Sequence, residues 1–482
     1  MNERSSVADL AASLRSELQR YSAGQRLPSS RELVQRHGVS PVTLSRAVAV
    51  LAAEGLVVSR PGAGVYRAGG RRPVEAAGDV SWQEVALSAD EGARGVGAGR
   101  VLDMLAVPPA DVIDLNGGYL HPSLQPEQAL ATALARAGRR PGAWGRPPVE
   151  GLPDLRAWFA EDVSGGGGSA GHPLAASDVL VTAGGQSALT TALRSLAPPG
   201  APVLVESPTY PGALAVARAA GLRPVPVPVD AEGVRPDLLA AAFEATGARV
   251  FVCQPLFQNP TGAVLSAVRR PEVLRIARAA GAFVVEDDFA RNLVHADAPM
   301  LPPPLAADDP DGVVVHIRSL TKPTSPSLRV GALVARGPAW ERLRAAQVVD
   351  TFFVPRPLQE AALELVAAPA WRSHLRRVSA ALHQRRQLVV TELLRLAPSL
   401  MPPQIPYGGY QLWLRLPDGT DVTTLVATAR RNGVALSPGP AYFPAEPPAP
   451  QLRLSYAGAA GTAQLADGVR LLVRSLEQIG AV

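Results

Sequence analysis

Lysine is almost absent from this chain. It occurs once in 482 residues, at position 322, and every other Lys or Arg position is arginine. Arginine can replace lysine wherever a positive charge is needed, but its guanidinium stays protonated and cannot attack a carbonyl as a neutral amine. The exception therefore predicts a reactive primary amine, and a Schiff base with an aldehyde cofactor is the commonest need for one. The alternative is a surface lysine without a function, and the residues around Lys322 have to decide between the two.

Cysteine and long apolar runs are scarce as well. The single cysteine, Cys253, excludes an internal disulfide framework and fits a reducing compartment. No apolar run approaches the roughly 20 residues of a membrane-spanning helix, and the first residues lack the layout of a signal peptide. The seven histidines are scattered without metal-ligand spacing. We therefore expect a cytoplasmic protein without a membrane segment or a metal site.

Positive charge is concentrated at the N-terminal end. Residues 1–72 hold 11 arginines and 5 acids, a net of +6, whereas the remaining 36 basic and 37 acidic residues give a net of −1. A basic module beside a neutral body predicts a polyanionic partner for that module alone. Solvated arginine-rich faces are common, so this prediction needs support from the pattern of the segment.

The pattern of the N-terminal segment predicts three helices followed by a hairpin. Apolar residues recur at helical spacing in the first helix, at Val7, Leu10, Leu14 and Leu18. Ser29 or Ser30 is expected to cap the second helix, and Ser40 the third. Two short strands, 56–60 and 64–67, are joined by a Pro-Gly-Ala turn. This arrangement is a winged helix-turn-helix, which places the second helix of its pair in the DNA major groove.

The module resembles the DNA-binding domain of the GntR regulator superfamily. The likeness rests on Arg-Leu-Pro-Ser-Ser-Arg-Glu-Leu at 26–33, Gly-Val-Ser at 38–40 and Glu-Gly-Leu at 54–56. It implies a domain over residues 1–68 that binds double-stranded operator DNA; a winged helix used only for protein contacts is the alternative. Pro41 stands where the family usually carries arginine, so one DNA contact is expected to be lost. The implied DNA contacts are Arg31, Ser40, Thr43, Ser45 and Arg46, with Arg60 and Gly62 on the wing.

The rest of the chain divides into a linker and a large body. Residues 69–110 are rich in Gly, Ala, Pro and Arg and predict a flexible linker, because this composition buries too little apolar surface to fold firmly. From residue 111 onward, apolar strands alternate with helical stretches. That alternation predicts an α/β fold with a largely parallel sheet covered by helices on both faces.

Polar residues follow the predicted strands of this body, where open α/β sheets place their ligands. Lys322 lies in a loop after the apolar run 313–315, and the glycine turn before Gly185 and Gln186 offers backbone amides to a phosphate at the start of a helix. These features together match the needs of pyridoxal phosphate. The other candidates are Asp287 for the pyridine nitrogen, Asn259 for the ring oxygen, Tyr210 for the ring face and Arg329 for the phosphate.

The order of these residues resembles that of fold-type I aminotransferases, over a domain expected at residues 111–482 with large and small subdomains. The resemblance implies that Lys322 forms the Schiff base and that Arg453 grips a substrate α-carboxylate. Two hydroxyls of the family are missing. Phe289 stands where a tyrosine usually bonds the ring oxygen, and Trp144 is the only candidate where a tyrosine usually reaches the neighbouring subunit's phosphate. We therefore expect cofactor binding with slow turnover.

A GntR-type domain joined to an aminotransferase-like body is the architecture of the MocR subgroup of bacterial regulators. The resemblance implies a homodimer that binds pyridoxal phosphate, responds to an amine or amino-acid effector and regulates transcription. Fold-type I sites form between subunits, and two winged helices suit a repeated or palindromic operator. The alternative is an active aminotransferase with a secondary DNA-binding domain, which the complete lysine, aspartate, asparagine and arginine set favours.

Overall fold

The chain forms two compact units. The structure is a computed structural model that describes residues 3–60, 64–68, 81–88, 97–165 and 173–481. The units comprise Met1–Gly95 and Val96–Val482. None of the helices within the described ranges is both long and apolar enough to cross a bilayer.

The N-terminal unit has the predicted winged helix-turn-helix arrangement. Ser29 caps the second helix in a capping box with Glu32, and Ser40 caps the third by accepting a 3.1 Å hydrogen bond from the Thr43 backbone N–H. Buried leucines from all three helices form one apolar core. The predicted turn at 61–63 lies outside the described residues. The elements are α1 (Glu3–Glu17), α2 (Ser30–His37), α3 (Pro41–Ala53) and the antiparallel strands β1 (Val57–Arg60) and β2 (Gly64–Arg67).

Much of the predicted linker also lies outside the described residues. The described part contains two helices, α4 (Trp82–Ser88) in the first unit and α5 (Gly99–Leu105) in the second. The Asp103 carbonyl of α5 accepts a 3.1 Å hydrogen bond from Asn116 Nδ2. The second compact unit therefore includes α5, which lies within the stretch 69–110 that composition predicts as a linker.

The second unit is built of alternating helices and strands. Its strands are β3 (Ile113–Asp114), β4 (Val179–Thr182), β5 (Pro202–Ser207), β6 (Arg223–Asp230), β7 (Gly233–Val234), β8 (Val250–Cys253), β9 (Phe283–Asp288), β10 (Val314–Ser319), β11 (Gly331–Val334), β12 (Gln411–Arg415), β13 (Val434–Ala435), β14 (Ser437–Pro438) and β15 (Gln451–Ser455). Its further helices are α6 (Glu127–Ala137), α7 (Pro153–Val163), α8 (Gly185–Leu196), α9 (Pro211–Ala219), α10 (Pro236–Thr246), α11 (Arg269–Ala279), α12 (Gly337–Thr351), α13 (Arg356–Ala367), α14 (Pro369–Leu396), α15 (Val422–Arg431) and α16 (Thr462–Gln478).

An eight-stranded sheet in the order β4-β11-β10-β9-β8-β5-β6-β7 forms the large subdomain. The strands from β10 to β6 are parallel, whereas β11 is antiparallel to both neighbours and β7 to β6. Successive side chains of β8 enter two different cores: Phe251 packs with α7, α10, α11 and α13, and Val252 packs with α8, α9 and α12. The predicted, largely parallel sheet with helices on both faces is confirmed.

A smaller subdomain closes the C-terminal end. Its antiparallel sheet has the order β12-β15-β14, and α14, α15 and α16 share its core. The early strand β3 pairs in parallel with β13, so the chain after residue 114 starts within this subdomain. The Ser455 backbone N–H then donates to the Leu115 carbonyl at 2.8 Å. This pairing places residues 115–119 beside β15, which carries Arg453.

Candidate functional site

One cavity lies at the carboxyl ends of β4, β5, β8, β9 and β10. It holds about 540 Å³ of empty space, its opening to solvent included. Every cofactor residue predicted from the sequence lines it, although these residues are spread over 145 positions of the chain. The lining residues are Tyr119, Gly185, Gln186, Leu189, Tyr210, Gln254, Asn259, Asp287, Phe289, Ser319, Thr321, Lys322, Arg329 and Tyr410.

Lys322 presents its amine to this cavity. The Nζ atom donates a 2.8 Å hydrogen bond to the Gly118 carbonyl and lies 4.0 Å from the centroid of the Tyr119 ring. Burial lowers the pKa of Lys322, and the nearby Arg453 cation lowers this pKa further. A lowered pKa raises the fraction of neutral amine, the form that attacks a carbonyl. The interpretation of Lys322 as a surface lysine without a function therefore does not fit its position.

Asp287 is the cavity's carboxylate. Its Oδ2 atom accepts a 2.7 Å hydrogen bond from Gln254 Nε2, and burial raises its pKa to about 6. Strand β9 continues beyond its apolar residues through Asp288. Asp287 therefore lies on a regular strand, and the pleat gives its side chain a different face from those of its two acidic neighbours.

Those acidic neighbours, unlike Asp287, are paired with cations or potential cations. Glu286 lies 2.8 Å from His316 Nδ1, and Asp288 accepts a 2.8 Å hydrogen bond from Arg318. Burial opposes ionisation of Asp288, yet the Arg291 and Arg318 cations lower its pKa. Within the described ranges, no ion pair involves Asp287. It is thus the carboxylate left to meet a positively charged group of a ligand.

The phosphate side of the cavity is a glycine turn leading into α8. Gly184 has a φ of +84°, and a Cβ there would lie 3.1 Å from the Arg329 guanidinium carbon and 3.2 Å from Thr321 Oγ1. Arg329 itself donates a 2.8 Å hydrogen bond to the Ala183 carbonyl. The buried Thr321 hydroxyl has no hydrogen-bond partner in the structure. Bare amides at a helix start, a guanidinium and an unused hydroxyl suit a phosphate group.

Asn259 lines the cavity, and Arg453, which does not line it, lies against Asn259. Arg453 Nη1 donates to Asn259 Oδ1 at 3.3 Å, and Nη2 donates to the Asn116 carbonyl. Arg453 is only 1% exposed, and its Nε atom has no hydrogen-bond partner among the described residues. No carboxylate of the described chain forms an ion pair with it. A buried cation without a counter-charge is costly, and an anionic ligand would relieve that cost.

Aromatic side chains complete the cavity. Tyr210 lies at the start of α9 and donates a 3.2 Å hydrogen bond to Gln186 Oε1. Phe289 lines the cavity with its ring centroid 6.2 Å from that of Tyr410. Trp144 is 82% exposed and does not line the cavity. Phe289 therefore brings a ring without a hydroxyl to the cavity. Trp144 does not contact the cavity of its own chain, so its expected role towards a neighbouring subunit stays a prediction.

Several lining residues escaped the sequence analysis. Ser319 is the last residue of β10, Thr321 immediately precedes Lys322, and Gln254 directly follows β8. The rule that ligands lie at strand ends could therefore have found all three. Tyr119 carries no comparable signal, because only the pairing of β3 with β13 brings it to the cavity.

The predicted DNA contacts lie around the start of α3. Arg31 and Ser45 line one groove between the helices and the wing, and Arg46 is exposed. The Ser40 and Thr43 hydroxyls bond each other at 2.8 Å while Ser40 caps the helix. These two side chains therefore have a helix-capping role, beside which their DNA contacts remain a prediction.

The wing carries the remaining DNA predictions. The Arg60 guanidinium carbon lies 4.8 Å above the centroid of the Tyr66 ring, so this strand pair holds the arginine by a cation–π contact. Gly62 lies outside the described residues. The DNA contacts of both residues remain predictions.

Comparison with known proteins gives the family. Residues 110–469 match the aminotransferase class I and II family, and residues 7–66 match the family of bacterial regulatory proteins called gntR. The chain belongs to the class I and II aminotransferase family. With its GntR domain it has the architecture of a MocR-type transcriptional regulator, as the sequence predicted.

Individual relatives show both sides of this architecture. The probable rhizopine catabolism regulatory protein MocR of Rhizobium meliloti is 28% identical over 439 residues, covering 90% of this chain and 86% of its own. The 2-aminoadipate transaminase of Thermus thermophilus is 32% identical over 414 residues, covering 84% and 99%. The crystal structure of LysN, an alpha-aminoadipate aminotransferase from Thermus thermophilus complexed with N-(5'-phosphopyridoxyl)-L-leucine, matches with a TM-score of 0.74 and 30% identity, covering 83% of this chain and all of that one.

The cavity of this MocR-type protein fits pyridoxal phosphate, the cofactor that its family implies. The unused Thr321 hydroxyl and the open glycine turn suit the phosphate. Asp287 lacks a cationic partner and suits the pyridine nitrogen, and Lys322 supplies the amine. Among the described residues, no cluster of histidine, cysteine and acidic side chains could hold a metal ion.

Proposed function

We propose that this MocR-type protein is a transcriptional regulator whose operator binding is controlled by the occupancy of the cavity. Pyridoxal phosphate occupies the cavity first, and an amino-acid or amine effector then binds beside it. Because the winged helix-turn-helix acts on DNA, the protein works in the cytoplasm. The GntR domain and the chemistry of the cavity residues support the two halves of this proposal.

Each cavity residue has one task towards the cofactor. Lys322 provides the amine that bonds its aldehyde, and Asp287 accepts a hydrogen bond from its pyridine nitrogen. The Asn259 amide bonds the ring oxygen and Tyr210 covers the ring. Bound pyridoxal phosphate supplies an electrophilic carbon and an electron-withdrawing ring. The start of α8 and Arg329 hold the phosphate through backbone N–H groups and a guanidinium.

Arg453 selects the effector. Its buried guanidinium has no carboxylate partner in the described chain, so a ligand with a carboxylate gains most from binding there. Amino acids carry that carboxylate beside an amine that can reach the cofactor. We therefore expect amino acids, or close derivatives that retain the carboxylate, to be stronger effectors than simple amines.

One observation carries the regulatory part of the proposal. Asn116 accepts a hydrogen bond from Arg453 through its backbone carbonyl and donates a 3.1 Å hydrogen bond to the Asp103 carbonyl of α5 through its side chain. Two residues further on, the Gly118 carbonyl accepts from Lys322. Both cations that would engage ligands therefore hold the same short segment.

This segment connects the cavity to the chain that leads to the DNA-binding domain. A cofactor aldehyde at Lys322 or a carboxylate at Arg453 would compete for the groups that now donate hydrogen bonds to the Gly118 and Asn116 carbonyls. Asn116 passes any resulting displacement to α5, which follows the linker in sequence. Site occupancy thus has a direct path to the segment that tethers the DNA-binding domain.

The proposed regulator acts as a homodimer. Trp144, Val349 and Phe352 expose 82%, 81% and 68% of their surfaces, an unusual exposure for large apolar side chains. A dimer interface would cover such side chains. Two winged helices would then read a repeated or palindromic operator. Sedimentation of the full chain at low concentration tests the dimer directly.

The deciding experiment measures operator affinity of the full chain by fluorescence anisotropy, with DNA from upstream of its own gene. Affinity should change about 5- to 150-fold between the apo protein, the cofactor-loaded protein and the protein with cofactor and an amino acid. Asn116→Ala should still bind both ligands, since its backbone carbonyl remains, but should lose most of this coupling. Asn432→Ala, which removes a side-chain amide bonded to Ser475 and Gln478, is the matched control.

The same samples distinguish the alternative. Rapid multiple-turnover transamination, with operator affinity indifferent to both ligands, would identify an aminotransferase with a secondary DNA-binding domain. The complete Lys322, Asp287, Asn259 and Arg453 set keeps that alternative open to test. The missing hydroxyl at Phe289 favours slow turnover.

A further inference from the structure

Gln254 joins two cofactor-facing residues through one side-chain amide. It follows β8, is 4% exposed and lines the cavity. Its Nε2 atom donates a 2.7 Å hydrogen bond to Asp287 Oδ2, and its Oε1 atom accepts a 3.0 Å hydrogen bond from the Asn259 backbone N–H. Asp287 and Asn259 are 28 positions apart in sequence, and this amide connects them directly.

The orientation of this amide follows from its partners. The Asn259 backbone N–H can only donate, so the oxygen of the Gln254 amide must face it. The NH₂ group is then turned towards Asp287, where it requires an acceptor oxygen. A proton on Asp287 Oδ2 would oppose that NH₂ group, so the bond favours the ionised carboxylate. The other carboxylate oxygen of Asp287 remains available to a ligand.

The charged and titratable surroundings of Asp287 make such a donor important. Burial drives the carboxyl towards its neutral form and raises its pKa to about 6, and the adjacent Asp288 acts in the same direction. Lys322 and His316 act in the opposite direction, and Lys322 is no longer a free ammonium once its nitrogen bonds an aldehyde cofactor. Among the described residues, Gln254 is the one whose side chain donates a hydrogen bond to Asp287.

We infer that Gln254 is a positioning residue for the cofactor, holding Asp287 as a carboxylate towards the pyridine nitrogen and fixing the Asn259 backbone beside the ring oxygen. This inference rests on the proposed binding of pyridoxal phosphate in the cavity. It does not depend on whether that binding controls DNA affinity.

If the Gln254 side chain had a purely structural role, it would be needed to satisfy buried groups outside the cofactor site. The Gln254 backbone N–H already bonds the buried Glu206 carboxylate at 3.1 Å, a contact that any residue except proline would supply. The side chain is therefore not needed to satisfy Glu206. Its two bonds serve only Asp287 and Asn259.

The test compares pyridoxal phosphate affinity in the wild type, Gln254→Met and Gln254→Glu between pH 6 and 8.5. Methionine keeps the length but removes the donor, so Asp287 takes up its proton at higher pH. The ratio of the Gln254→Met to the wild-type dissociation constant should be about 10 near neutral pH, the effect of losing one hydrogen bond to a charged group. Titration of the ligand itself affects both proteins equally and cancels in this ratio. It should grow as the pH falls. Gln254→Glu should bind more weakly still, since two adjacent carboxylates share a proton.

A cofactor analogue supplies the readout that a structural role would not change. In 1-deazapyridoxal phosphate, carbon replaces the pyridine nitrogen, so the ligand has no bond to Asp287. Gln254→Met should lose less affinity for this analogue than for pyridoxal phosphate, because only its support of Asn259 then affects binding. Gln347→Met removes an equally buried amide, which donates to the Val181 carbonyl, and should lower thermal stability without changing the pH dependence of binding.

The outcomes separate this inference from the proposed function. An equal loss of affinity for both ligands in Gln254→Met, or a ratio that does not change with pH, would overturn the positioning role. Failure of the wild type to bind pyridoxal phosphate would overturn the cofactor site itself. Cofactor binding that leaves operator affinity unchanged would overturn only the regulatory proposal, and the result for Gln254 would stand.

Discussion

Replacing Arg453 by methionine should stabilise the protein while weakening its binding of carboxylate ligands. The guanidinium is buried and unpaired, and burial of an ion costs several kcal/mol even after relaxation. Its hydrogen bonds to Asn259 and Asn116 and its positions near the Tyr410 and Tyr442 rings offset part of that cost. Methionine fills a similar volume without charge. We expect the free energy of unfolding to rise by about 1–2 kcal/mol.

Ligand binding should change in the opposite direction. Removing one partner of a buried charge pair costs about 2–5 kcal/mol, so Arg453→Met should weaken an amino-acid effector about 30-fold or more. Its affinity for a simple amine without a carboxylate should change little. Thermal unfolding of the cofactor-free protein and titration of its cofactor-loaded form with both ligand types measure the two effects separately.

Arg318→Met is the matched control for the Arg453 prediction. Arg318 is equally buried, but it bonds Asp162 at 2.7 Å and Asp288 at 2.8 Å. Its removal leaves the buried Asp288 with Arg291 as its remaining cation and should destabilise the protein by about 3–5 kcal/mol. If Arg453→Met lowered the unfolding temperature as far as Arg318→Met does, the argument that Arg453 lacks an internal counter-charge would be refuted.

Four further predictions follow from the same geometry. Lys322→Arg should fold but retain no borohydride-fixed cofactor, as mass spectrometry will show; label on any other site of the wild type would contradict the assignment. Arg31→Gln should weaken operator binding by about 1–3 kcal/mol if it reads a base, and salt titration will separate this from a phosphate contact. Phe289→Tyr should lower the pH midpoint of the bound cofactor's visible spectrum, by adding a hydrogen bond worth about 1.5–3 kcal/mol. Burial raises the pKa of Glu206 to about 7, so its ionisation should destabilise the fold as the pH rises from about 4 to 7, and Glu206→Gln should flatten that decline.

Local patterns predicted the elements that obey a simple periodicity. Leu10, Leu14 and Leu18 recur every four residues in sequence and are buried in one core, and Ser40 caps α3 as expected. Lys322 was identified by its chemistry, because no other lysine competes with it. These inferences needed only neighbouring residues and the general rules of helices and α/β sheets.

Strand ends and the antiparallel strand were beyond such local rules. Asp287, His316 and Arg318 interrupt the apolar runs, so the sequence suggested shorter strands, yet these residues continue β9 and β10 because their partners are buried with them. β11 follows β10 through a loop without a helix, a connection that permits antiparallel pairing. Tyr119 reaches the cavity through tertiary contacts that no local pattern encodes.

The three consecutive carboxylates at the end of β9 make the site sensitive to strand register. Glu286 lies opposite His316 and Asp288 lies opposite Arg318, while Asp287 between them is left to the cavity. A slip of one residue would bring an acid that already has its own partner to the cavity and would bury Asp287 among cations. Three adjacent carboxylates could by themselves pair in either register, but the positions of His316 and Arg318 on β10 stabilise only the observed one. Asp287 is the acid of the three that lies opposite an uncharged residue of β10, and it is therefore the one that remains for the cofactor.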